Sequence, residues 1–187
     1  MVNIFKYNVF WIIFSGLIIS FSLTVFSNWV LLGCIWFALF FIFRLSNLEK
    51  NLSISEHKLY IVTAFVFPII ETGLTWMIRK NIIPYSWFWL NRLEHFCSAI
   101  GVSIILLPIY INIWHSLKWW QNLVFILGLV CLIGNLNEFF EFFWRCCQPI
   151  SYSKLALYYS DTIYDMGVNL IGGFVGFLII KLNVRSL

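Results

Sequence analysis

Long apolar runs separated by short polar breaks dominate this chain. No charged residue occurs between Lys6 and Arg44. One crossing of a bilayer needs about 20 residues, so that run predicts two spans, 9–26 and 29–43, broken at Ser27 and Asn28. A polar loop over 44–58 follows. A third span is predicted over 59–78, carrying Pro68 and Glu71. A fourth is predicted over 96–114, with Pro108 as a kink, and a short turn over 115–121 closes it. The fifth and sixth fall at 123–144 and 162–180. In the sixth, Gly172 and Gly176 form a small-xxx-small pattern, the signature of close helix packing. The chain reads as all-α, a polytopic bundle of six transmembrane helices in a single domain, 1–187, with no linker and no repeat.

Composition narrows the class. The chain is 61% hydrophobic and 11% charged, with a mean hydropathy of +0.89. Soluble domains carry about 25% charge, so an integral membrane protein is the class that fits. With six spans both termini share a side. That side holds seven Lys and Arg (Lys6, Arg44, Lys50, Lys58, Lys118, Lys181 and Arg185), and the other holds five (Arg79, Lys80, Arg92, Arg145 and Lys154). The excess favours cytoplasmic termini. No A-x-A-like site follows the first apolar run, so it reads as a retained span and not a cleaved leader. The basic residues are too scattered to bind nucleic acid; membrane lipids are the expected partners. Five cysteines, two of them adjacent at Cys146 and Cys147, contain no C-x-x-C and read as apolar fillers.

The candidate chemistry lies in the acids. Of 8 Asp and Glu, Glu71, Glu138, Glu141, Asp161 and Asp165 fall within or at the ends of apolar runs. A carboxylate at the centre of a membrane helix costs roughly 2.5–3.5 kcal/mol, so an intramembrane acid is a functional candidate by default. Span order places Glu71, Arg92, His95, Glu138, Glu141, Asp161, Asp165 and Asn169 in one leaflet. All lie within about 10–12 Å of the interface at 1.5 Å per residue. Spacings of three and four residues put each set on one helix face: Arg92 with His95, Glu138 with Glu141, and Asp161 with Asp165 and Asn169. The aromatic segments 81–91 and 155–159 are expected as loops in the headgroup region, roofing a cavity suited to a lipid headgroup.

Three chemistries fit such a cluster. Carboxylates with one His suit a hard or borderline divalent metal such as Mg, Mn, Zn or iron. Crowded carboxylates also share protons and serve as general acids or proton carriers. The competing structural reading is a network in which Arg92, Arg145 and His95 pair with the acids and tie helices together. His57 and His115 lie at polar loops on the other side. No two His face each other at one depth, so haem is not expected, and there is no nucleotide-binding motif.

Three segments together resemble the YjdF-type family of bacterial inner-membrane proteins. Asn91-Arg92-Leu93-Glu94-His95-Phe96 is similar to that family's D-R-x-x-H-F, with Asn91 in place of Asp. Glu138-Phe139-Phe140-Glu141 is similar to its E-x-x-E, and Asp161-Thr162-Ile163-Tyr164-Asp165-Met166 with Gly172 to its D-T-x-x-D-M…G. A looser likeness to VanZ-like proteins implies the cell envelope and glycopeptide tolerance. The resemblance implies a multi-pass inner-membrane protein with a polar intramembrane site, and no established reaction. The leading expectation is an enzyme, metal-assisted, acting on a phospholipid or lipid-linked headgroup. Glu138, Glu141, Asp161, Asp165 and His95 would hold the cation or act as acids and bases. Arg92, Asn169 and Glu71 would contact substrate. The alternatives are a proton or divalent-cation transporter and a non-catalytic membrane scaffold or assembly factor.

Overall fold

A computed structural model describes residues 2–25, 29–84, 88–147 and 152–184, with side chains described for 8–20, 32–84, 89–143, 146–147 and 156–184. Every regular element among them is helical. The helices are α1 (Val2–Val25), α2 (Trp29–Leu45), α3 (Ile54–Arg79), α4 (Phe88–Ile105), α5 (Leu107–Ser116), α6 (Trp119–Cys146) and α7 (Tyr152–Asn183), with a 3-10 turn at Leu48–Asn51. The break predicted at Ser27 and Asn28 lies outside the described residues.

Start signals for α3 are local and strong. The Ser53 side chain accepts from the Glu56 backbone, and the Glu56 carboxylate accepts from the Ser53 backbone at 2.7 Å. This capping box satisfies two otherwise unpaired donors. It moves the helix start upstream of the predicted residue 59 and buries Glu56. Pro68 sits inside α3 without ending it.

Among the described residues, three helices are long and apolar enough to cross a membrane: α3, α6 and α7. A fourth crossing results if α4 and α5 count as one broken span. In α1 and α2 the described apolar stretches are the shorter ones Asn8–Ser20 and Leu32–Leu45. The fourth predicted span is thus corrected. It is not one kinked helix but two, bent by 71° at Leu106. Pro108 lies in the first turn of α5. Its missing N–H and its ring, which would clash with the carbonyl four residues back inside a helix, are accommodated in a first turn.

Two loop expectations are also corrected. Residues 155–159 form helix, because α7 begins at Tyr152. Its 32 residues make a rod about 48 Å long at 1.5 Å each, which outruns a hydrocarbon core of about 30 Å. Its apolar stretch runs over Ala156–Asn183, longer than the predicted span 162–180. The segment 81–91 is a loop only in part, since α4 already starts at Phe88; residues 85–87 lie outside the described set.

Packing divides into two neighbourhoods. Near the N-terminus, rings of α1, α2 and α3 interlock, with Trp11 centred 4.5 Å from Phe40 and 4.1 Å from Phe65. In the C-terminal half α7 packs most extensively on α4 and then on α6. Close approach comes from α7 glycines, as the small-xxx-small pattern predicts. A Cβ on Gly172 would meet the Phe96 carbonyl oxygen at 2.6 Å, and one on Gly176 would meet Ser103 Oγ at 2.7 Å. These contacts lock the register of α4 against α7, which positions the polar residues of both.

Candidate functional site

The α4–α7 register brings Arg92 between two acids one turn apart. Its Nη2 donates to Asp161 Oδ1 and its Nη1 to Asp165 Oδ1, each at 2.6 Å. Asn91 Nδ2 donates to Asp165 Oδ2 at 3.0 Å. Both Asp165 oxygens are therefore engaged, and its side chain is only 3% exposed, against 33% for Asp161. The Arg92 guanidinium also lies over the ring of Tyr164, 5.5 Å from its centroid. Of the anion-binding capacity expected of Arg92, two donors are thus spent on this chain's own carboxylates. Here the salt-bridge reading describes the geometry well.

Deeper on the same face of α4, the arrangement changes. His95 Nε2 is 3.6 Å from Glu138 Oε1 and 3.7 Å from Asp165 Oδ2. Both distances exceed ordinary hydrogen-bond length, so His95 faces the two acids without being tied to either. Glu138 is 3% exposed, and its Oε1 has no hydrogen-bond partner. Glu141, one turn on, accepts from Asn137 Nδ2 at 3.1 Å. His95, Glu138 and Glu141 each offer a ligand atom within 4.8 Å of the other two. Donors to one tetrahedral ion at about 2.0–2.2 Å lie roughly 3.4 Å apart, so small side-chain rotations close this triad on a cation. Asp161 and Asp165, also expected as ligands, are held by Arg92; Asp165 stands beside His95.

Glu71, from α3, is 2% exposed. Its carboxyl lies close enough to that of Glu94 for the two to interact electrostatically, and its Oε1 has no hydrogen-bond partner. Glu94 escaped selection from sequence because the run Asn91–His95 reads as a polar interface ahead of a span. With α4 starting at Phe88, Glu94 is a helical residue next to His95. The usable signal was an acid on the helix that carries Arg92 and His95. Asn91 likewise proves to be an Asp165 partner. Asn169 is buried against α6, its Nδ2 lying 2.6 Å from where a Gly134 Cβ would be, and it supports the α6–α7 contact. The Arg145 side chain lies outside the described residues. Cys34, Cys97, Cys131, Cys146 and Cys147 form no disulfide.

The chain matches a family described as "Predicted membrane protein (DUF2238)" over residues 6–185. It belongs to that family, which is the one the YjdF-type resemblance named. No curated protein and no solved structure matches it.

Proposed function

We propose that this member of the family is a six-span inner-membrane protein, with both termini cytoplasmic, that performs metal-assisted chemistry on a phospholipid or lipid-linked headgroup. His95, Glu138 and Glu141 hold a divalent cation. Bound there, the cation would polarise a phosphoryl or acyl oxygen or acidify a bound water. Asp165, fixed by Asn91 and Arg92, stands 3.7 Å from His95 Nε2 and adds negative charge beside the cation. Arg92 and Asp161, nearer the surface, frame the entrance.

One observation carries this reading: the buried, unpartnered Glu138 Oε1 beside His95 and Glu141. A network built only to staple helices satisfies its buried members, because an orphaned acceptor costs about 1–3 kcal/mol. The exposed aromatics Trp89, Tyr159 and Tyr164 near the cluster suit the headgroup region. Transport is disfavoured by what lies beyond the cluster, where Ala99, Ile126, Val130, Phe177 and Ile180 are buried in apolar contact.

The test pairs metal analysis of detergent-purified protein with lipid profiling of a strain lacking the gene. At least one divalent cation per chain is expected, lost in Glu138→Gln and Glu141→Gln without loss of folding. The altered lipid class should be restored by wild type and not by either variant. Wild-type protein whose melting ignores Mg, Mn, Zn, Fe(II) and chelator, together with variants that melt well below it, would favour the scaffold instead.

A further inference from the structure

One donor of the triad is an imidazole nitrogen, and that bears on which ion the triad takes. His95 comes from α4, and Glu138 and Glu141 from α6; each offers a ligand atom within 4.8 Å of the other two. The buried Glu138 Oε1 meets no donor, and His95 Nε2 stands 3.6 Å from it. Neighbouring donors on a tetrahedral ion are about 3.4 Å apart. On an octahedral Mg(II), with bonds of about 2.0–2.1 Å, they are about 2.9 Å apart. The spacing at His95 is therefore close to a tetrahedral edge and well beyond an octahedral one. Room points the same way. Mg(II) keeps several of its waters, but the Glu138 side chain is 3% exposed and that of His95 13%. Asp165 Oδ2, 3.7 Å from the same nitrogen, accepts from Asn91, and Arg92 holds the other oxygen. Three protein donors are left for the ion.

We propose that this ion is Zn(II), four-coordinate, with its fourth position open to water or a substrate oxygen. This rests on the reading above that the triad holds a divalent cation. Imidazole suits Zn(II) and not Mg(II), and mixed nitrogen and oxygen donors bind Zn(II) more tightly than Mn(II) or Fe(II). Cu(II) binds such donors more tightly still, but its square-planar or tetragonal preference sets neighbours at right angles, which the 3.6 Å spacing does not fit. Three protein ligands are also the mark of catalytic zinc, since structural sites close the fourth position with another side chain. The ion then serves chemistry at the headgroup and does not staple helices.

The experiment takes tag-free full-length protein in detergent micelles, strips it with chelator and re-equilibrates it with equal Zn(II) and Mn(II) and a large excess of Mg(II). Elemental analysis should find one Zn(II) per chain. Co(II) put in its place should give the strong visible absorption of four-coordinate cobalt. His95→Gln should lose both the preference for Zn(II) and that spectrum. Should this variant fail to elute as a folded species, the wild-type cobalt spectrum still decides the geometry. Wild type that takes up Mg(II) or Mn(II) instead, or a weak six-coordinate cobalt spectrum, would overturn zinc and leave the proposed function standing. Wild type that binds no divalent cation would overturn both. A His95→Gln protein holding Zn(II) as tightly as wild type would also refute the assignment.

Discussion

Replacing Arg92 by Gln isolates a part of the cluster whose acid is fully paired. Asp165 is 3% exposed and receives two hydrogen bonds, from Arg92 at 2.6 Å and Asn91 at 3.0 Å. Without the guanidinium its charge is left with a single neutral donor in a buried setting. Removing one partner of a buried ion pair costs about 3–5 kcal/mol. The Asp161 arm adds little, since that carboxylate is 33% exposed and exposed pairs are worth roughly 0–1 kcal/mol. Asp165→Asn should cost less, about 1–3 kcal/mol, because Arg92 keeps Asp161. In the double variant Arg92→Gln/Asp165→Asn no stranded charge remains, so most of the loss should return. The coupling should be about 2–3 kcal/mol, the upper range for residues in contact. Reversible unfolding in mixed micelles, run as a double-mutant cycle, gives the four stabilities. An Arg92→Gln protein within about 0.5 kcal/mol of wild type, the range of an inconsequential surface change, would refute the pairing. So would strictly additive losses.

Two further outcomes test the scaffold of the site. Gly172→Val places a side chain against the Phe96 carbonyl at the α4–α7 contact; overpacking of this kind costs about 1–3 kcal/mol, and micelle unfolding should show it, whereas the same change at Gly128, where a Cβ meets nothing within 4 Å, should be near neutral. Reporter fusions should place the C-terminus in the cytoplasm, following the seven-to-five division of Lys and Arg; an external C-terminus would reverse the orientation and leave the clustering intact.

Much of this protein was legible in the residues alone. Blocks of apolar sequence define the helices and the membrane class, because in hydrocarbon each backbone polar group must be satisfied within its own segment. Rare acids stand out against such a background, and helical spacing shows which of them share a face. Hence Arg92 with His95, Glu138 with Glu141, and Asp161 with Asp165 and Asn169 were recognisable as sets. Three things depended on tertiary structure. The break at Leu106 reflects how two helices settle around Pro108, which by itself permits either a kink or a new start. The extension of α7 through 155–159 was hidden because interfacial aromatic sequence is compatible with loop and helix alike. Most of all, the division of labour within the cluster is set by the register of α4 against α7, through contacts at Gly172 and Gly176. That register gives Arg92 to Asp161 and Asp165 and leaves His95 facing Glu138. The packing of α3 on α4 brings Glu94 within electrostatic reach of Glu71, two residues that no helical period relates. Spacing rules act along one helix; which acid is paired and which is left open depends on side chains from different helices meeting, and only packing decides that.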